Sequence, residues 1–116
     1  MKVRYVSKES DAGKLAFEGL QRLYEEACTD GEEHGRVCAK VLLGLYNGSR
    51  FPFDLTLLRT LSHDLFLDAM ALIELDATTT CQEIHAYFDD GGRKFEALAE
   101  AYRVTDVLRL VSSHAA

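Results

Sequence analysis

Two groups of residues in this chain have the types and spacing that chemistry requires. His34 and Cys38 stand four positions apart, which puts both on one side of a helix, where an imidazole and a thiolate can share a metal ion. Metal centres need three or four ligands, and Cys28 is the only other soft donor nearby in sequence. The pair therefore reads first as a helix-start histidine beside a core cysteine. His63, Asp64 and Asp68 form the second group. With Glu83 and His85 from a later segment they would supply carboxylates and imidazoles for a general base or a metal centre. Nothing in the sequence holds those two segments face to face, and Ser62-His63-Asp64 reads equally well as a helix start with an acidic first turn. No catalytic residue and no metal is assigned, and no cofactor is called for.

Other patterns point to recognition rather than catalysis. There is no nucleophile elbow, Walker loop or dinucleotide fingerprint. Asp89-Asp90-Gly91-Gly92-Arg93-Lys94 opens a helix whose amides would attract an anion, but its two aspartates oppose one, and a helix cap is the simpler reading. Glu25, Glu26, Asp30, Glu32 and Glu33 crowd into one helix–loop–helix corner, which reads first as a solvated face and otherwise as a mimic of nucleic-acid charge or a surface for a basic partner. Phe51 and Phe53 flank the only proline, Pro52, and are costly to leave in water. The loop they form either folds back on the core or presents a contact surface. The binding candidates are therefore Phe51, Phe53, Glu25, Glu26, Glu32 and Glu33, with His63, Asp64, Asp68, Glu83 and His85 as the alternative cluster. A protein partner is expected, with a homodimer as one form of it.

The 116 residues suit one domain with a core of its own. An apolar share of 47% and a charged share of 28% are ordinary globular values, which argues against disorder. A net charge of −6 argues against a nucleic-acid binder. DNA binding would need Arg36, Lys40, Arg50 and Arg59 on one face. No stretch is apolar enough to span a membrane, the N-terminus lacks the apolar core of a signal peptide, and three cysteines without a paired spacing suit a reducing, cytoplasmic setting.

The elements that must position these residues are helices. The pattern predicts an all-α fold, a compact single-domain bundle of five or six short helices over residues 11–111, with an extension at 1–10 and a frayed tail at 112–116. Apolar spacing predicts helices from about Ala12 to Cys28 and from about Glu32 to Tyr46, with Asn47-Gly48 as a left-handed stop carrying a positive φ at Gly48. Asp54 should cap a short helix to Leu61, and Ser62 a longer one, His63 to about Leu75. That helix is apolar on more than one face, so it reads as the buried centre, with Leu65→Ala or Ile73→Ala costing about 2–5 kcal/mol. Thr80 with Glu83 suggests a capping box for a short helix bearing Cys81, Ile84 and Phe88. Phe95, Leu98, Ala99 and Tyr102 define the last clear helix, which Val107, Leu108 and Val111 either extend or leave to dock separately. Only Val3-Arg4-Tyr5-Val6 alternates like a strand.

Residues 20–102 resemble a known family. The resemblance is carried by Arg36-Val37, Leu42-Leu43, Tyr46-Asn47-Gly48, Phe51-Pro52-Phe53-Asp54-Leu55, Leu58-Arg59, Asp68, Met70, Glu83-Ile84-His85, Tyr87-Phe88, Gly91-Gly92 and Phe95-Glu96. The chain is similar to short uncharacterised bacterial proteins often found on plasmids, prophages and integrative elements. That resemblance carries no established activity and hence no catalytic residue. It implies an accessory role in which a non-enzymatic module docks on a host protein.

Overall fold

The computed structural model describes residues 11–78 and 82–110, and every regular element among them is helical. Helix α1, Asp11–Thr29, buries Gly13, Ala16, Gly19, Leu20, Leu23 and Ala27, spaced three and four apart, so one stripe faces inward. Gly31, at a φ of 70°, turns the chain into α2, Glu33–Tyr46. There Gly35, Val37, Cys38, Ala39, Val41, Leu42 and Leu43 are all buried, which leaves a narrow stripe of Glu33, Arg36, Lys40 and Gly44 outward. After a loop come a 3-10 turn, Leu55–Thr60, and α3, His63–Thr78. A second 3-10 turn, Ile84–Tyr87, leads to α4, Gly91–Ala101, and residues 107–110 open a further helical turn. These pieces form a single helical body around a core that includes Leu20, Leu42, Leu72, Ile84 and Phe95.

The expected caps hold at two positions. Asp54 accepts hydrogen bonds from the Thr56 amide at 2.9 Å and the Thr56 hydroxyl at 2.7 Å, which keeps its carboxyl below the ordinary carboxylate range. Ser62 Oγ accepts from the Leu65 amide at 3.3 Å. Thr80 and Cys81 lie outside the described residues, as do Val3–Val6, Val111 and the tail at 112–116.

Three expectations need correction. Helix α2 does end at Tyr46, but Gly48 has no positive φ. The stop is made instead by Asn47, whose Oδ1 accepts from the Arg50 amide while its carbonyl accepts from the Phe51 amide. Glycine suits position 48 because a Cβ there would stand 3.0 Å from the Gly44 carbonyl oxygen. The buried centre is α2 rather than α3. Leu65, Phe66 and Ile73 of α3 are half-buried, and Leu67 and Met70 are 50% and 41% exposed, because α3 packs chiefly on α1 along one side. Finally, the segment expected to be a short helix from Cys81 is, where described, only the 3-10 turn. Its carbonyl at His85 presses so closely on Gly91 that any Cβ there would clash, at 1.7 Å.

The segment after α4 docks separately. Arg103 takes a φ of 52°, the Val104 amide returns to the Ala99 carbonyl, and the chain then runs back to α2's exit, where the Val107 amide donates to the Arg50 carbonyl. Asp106 caps this turn through the Arg109 amide.

Burial therefore ranks the core substitutions. Leu42→Ala and Leu72→Ala should each cost about 2–5 kcal/mol, Ile73→Ala less, and Leu67→Ala or Met70→Ala within about 0.5 kcal/mol of neutral. Denaturant unfolding checks the order, and a neutral Leu72→Ala contradicts it.

Candidate functional site

Phe51 is a core residue, 2% exposed, with the Arg50 guanidinium 4.7 Å above its ring. Phe53 is half-buried, its Cβ 3.2 Å from where a Cβ on Gly44 would stand. The Pro52 loop is thus folded back on the body, and Phe51 offers nothing at the surface.

The alternative cluster does not converge. Asp68 faces α1, where Arg22 grips it with two bonds of 2.8 Å, Nε to Oδ2 and Nη2 to Oδ1. His63, Asp64 and Glu83 are exposed. His85 packs instead against Tyr46, edge to face with 5.1 Å between ring centroids, and its buried Nδ1 has no hydrogen-bond partner among the described residues. His34 is exposed, whereas Cys38 is fully buried, and burial, reinforced by Glu26, Asp30 and Asp68, pushes its thiol up to about 12. Among the described residues no three His, Cys, Asp or Glu side chains are grouped to hold a metal ion.

Two of the arginines considered for DNA, Arg36 and Arg50, are committed internally, while Arg59 is exposed. Arg36 Nη1 donates to the Tyr102 carbonyl. Arg50 is the hub of a network invisible in the sequence, because its partners lie 46 and 56 residues away. Its Nη1 and Nη2 meet the two Glu96 oxygens at 2.7 and 2.8 Å, and its Nε meets Asp106 Oδ2 at 2.8 Å. The Tyr46 hydroxyl also donates to Glu96. Hydrogen bonding to Arg50 holds the Glu96 carboxyl below its usual range, while the bond to Glu96 raises the Tyr46 phenol.

The remaining candidates meet at the α1–α2 corner. Glu25, Glu32 and Glu33 are exposed and Glu26 is half-buried. Asp30 differs from them: its Oδ2 accepts from the Glu32 amide at 3.2 Å and the Gly35 amide at 2.8 Å, which caps α2. Tyr102, beyond α4, locks the corner. Its hydroxyl donates to the Ala27 carbonyl at 2.6 Å and accepts from the Gly31 amide at 3.2 Å. The four glutamates are therefore displayed on a corner whose backbone is pinned from inside.

Depressions flank that corner on two sides. A groove of about 350 Å³ beside α1 is lined by Arg22, Glu25, Glu26, Thr29 and Leu65. A cleft of about 370 Å³ separates α1 from α4, with Tyr24, Ala27, Cys28 and Gly31 on one wall and Lys94, Ala97, Leu98, Ala101 and Tyr102 on the other. That volume lies in the range of ligand pockets. Burial and the adjacent Cys28 push the Tyr24 phenol up to about 12. The signal that could have revealed the cleft was the spacing of Ala97 and Ala101, one turn apart on α4 beside the apolar stripe.

Two expectations follow. Tyr102→Phe should destabilise the chain by about 1 kcal/mol, through the lost bridge between Ala27 and Gly31, read by thermal unfolding. Glu96 is depressed in the fold, so its stabilisation is present above the ordinary carboxylate range and is lost as pH falls through the depressed value. The melting-temperature gap between the unsubstituted chain and Glu96→Gln should accordingly narrow from about pH 6 to about pH 3. A gap constant with pH contradicts the network.

No helix among the described residues is long and apolar enough to cross a membrane. No curated protein and no solved structure matches the chain. A family model matches residues 17–103, a span that includes the 20–102 stretch singled out in the sequence, and the chain belongs to that family of unknown function, DUF7673.

Proposed function

We propose that the chain is a non-enzymatic protein-binding module, an accessory protein of mobile elements that acts sterically by docking on a host protein through the α1–α2 corner. The observation that carries this reading is the juxtaposition of the exposed Glu25, Glu32 and Glu33 with the α1–α4 cleft, over a backbone that Tyr102 and Asp30 hold rigid. Rigidity matters because a preformed surface loses little conformational entropy on binding. An apolar cleft beside an acidic rim suits a partner that inserts apolar side chains and surrounds them with basic ones. The net charge of −6 favours the same partner at longer range. The mobile-element setting rests on the resemblance of residues 20–102 to proteins carried on such elements.

Immobilised chain, compared with Glu32→Lys/Glu33→Lys, tests the reading in lysate from a bacterial host. The unsubstituted chain should retain a specific protein that added salt releases and that the double variant loses, since rim ion pairs are screened. A partner held equally by both proteins would place the docking surface elsewhere.

A further inference from the structure

The geometry of the α1–α4 cleft points to a more specific occupant, and we propose that it receives an amphipathic helix of the partner, lying antiparallel to both walls with its basic end at Gly31. This inference rests on the partner reading above and names what the partner contributes.

The two walls run in the same direction. Tyr24 stacks near Phe95, 6.3 Å between ring centroids, and further along Tyr102 reaches Ala27 and Gly31. The trough between them is lined by small side chains at helical spacing: Ala27 on α1, and Ala97 with Ala101 on α4. Small residues on two helices leave room for the apolar stripe of a third to lie between them, the helix-in-groove mode of recognition.

Charge sets the direction. Among the described residues that line the cleft, Lys94 is the one cation and sits one turn into α4, near that helix's positive N-terminal end, while the exposed Asp89 and Asp90 that precede the helix lie outside the lining. The opposite end, at Gly31, adjoins the C-terminus of α1 together with Asp30, Glu32 and Glu33. A helix entering with its N-terminus at Gly31 places its positive end and basic side chains against these carboxylates. Its C-terminal end then meets Lys94. The reverse orientation sets like ends together at both extremes. It would also run parallel to both walls, where the dipoles repel rather than attract.

The test uses two helix-stabilised peptides of about 15 residues, identical in composition and in their leucine stripe. One carries its lysines in the N-terminal half and glutamates in the C-terminal half, and the other is reversed. Binding to the full chain is measured by fluorescence anisotropy at low salt. The N-terminally basic peptide should bind about tenfold more tightly, and Ala97→Trp, which fills the exposed trough, should abolish binding while circular dichroism shows the fold intact. Glu32→Lys/Glu33→Lys should erase the preference between the peptides. Equal affinity for the two peptides, binding of neither, or indifference to Ala97→Trp overturns the proposal. So does a concentration-dependent dimer that Ala97→Trp disrupts, which would put a second copy of this chain in the cleft. If the corner variant loses its lysate partner while neither peptide binds, the helix is refuted and the partner reading stands. If the peptides discriminate as stated but no salt-sensitive partner is retained, the helix-binding trough stands and the partner reading falls.

Discussion

The burial of α2 is the constraint on which the rest of this molecule depends. Val37, Cys38, Val41, Leu42 and Leu43 lie around the helix rather than along one stripe, so water must be excluded from several sides at once. No single neighbour can do that. Helix α1 covers one side, α4 and the two 3-10 turns cover others, and α3 closes the assembly chiefly by packing on α1. A 14-residue helix wrapped in this way explains why short, irregular pieces persist where longer helices would suffice in an ordinary bundle. The 3-10 turn at Ile84–Tyr87 inserts Ile84 into the core and brings the His85 carbonyl against Gly91.

Around this apolar centre the polar side chains act as clamps between segments that are distant in sequence. Arg22 joins α1 to α3 through Asp68, Arg50 joins the exit of α2 to α4 and the following turn, and Tyr102 with Arg36 ties the end of α4 to the α1–α2 corner. Each clamp is bidentate or shared among several partners, the geometry in which partly exposed ion pairs contribute rather than merely decorate. Three of these side chains, Asp68, Arg36 and Arg50, were among the candidates the sequence offered, and the fold uses them for its own assembly. Asp68 shows this most directly: a residue that could have served a carboxylate–imidazole site is held by an arginine on the neighbouring helix.

What is left for a partner is determined by the same economy. At the α1–α2 corner only Asp30 is needed for capping, so the neighbouring glutamates face solvent on a backbone that does not yield. Beside them α1 and α4 are bridged at their ends by Tyr24 and Tyr102, but small side chains line the space between. A cleft persists because alanine cannot fill the distance that two tyrosines span.

The sequence by itself determined the helical class, the bounds of α1 and α2 to within a residue or two, and the caps at Asp54 and Ser62. All of these depend on local periodicity or on residues within a few positions of one another. It also marked the acidic corner, because five carboxylates in nine positions need no tertiary information to be seen. Only the tertiary structure decided which apolar helix is central. Helices α2 and α3 are both strongly apolar, and nothing local distinguishes a helix covered over most of its circumference from one covered chiefly on a single side. The same holds for Gly48, where glycine answers a close carbonyl rather than a left-handed turn, and for Phe51, whose burial depends on the core it meets. The Arg50 network joins residues tens of positions apart, and such contacts have no periodic signature, while the spacing of Ala97 and Ala101 marks one wall of the α1–α4 cleft without saying what faces it. They exist only because packing around α2 leaves each segment one place to go.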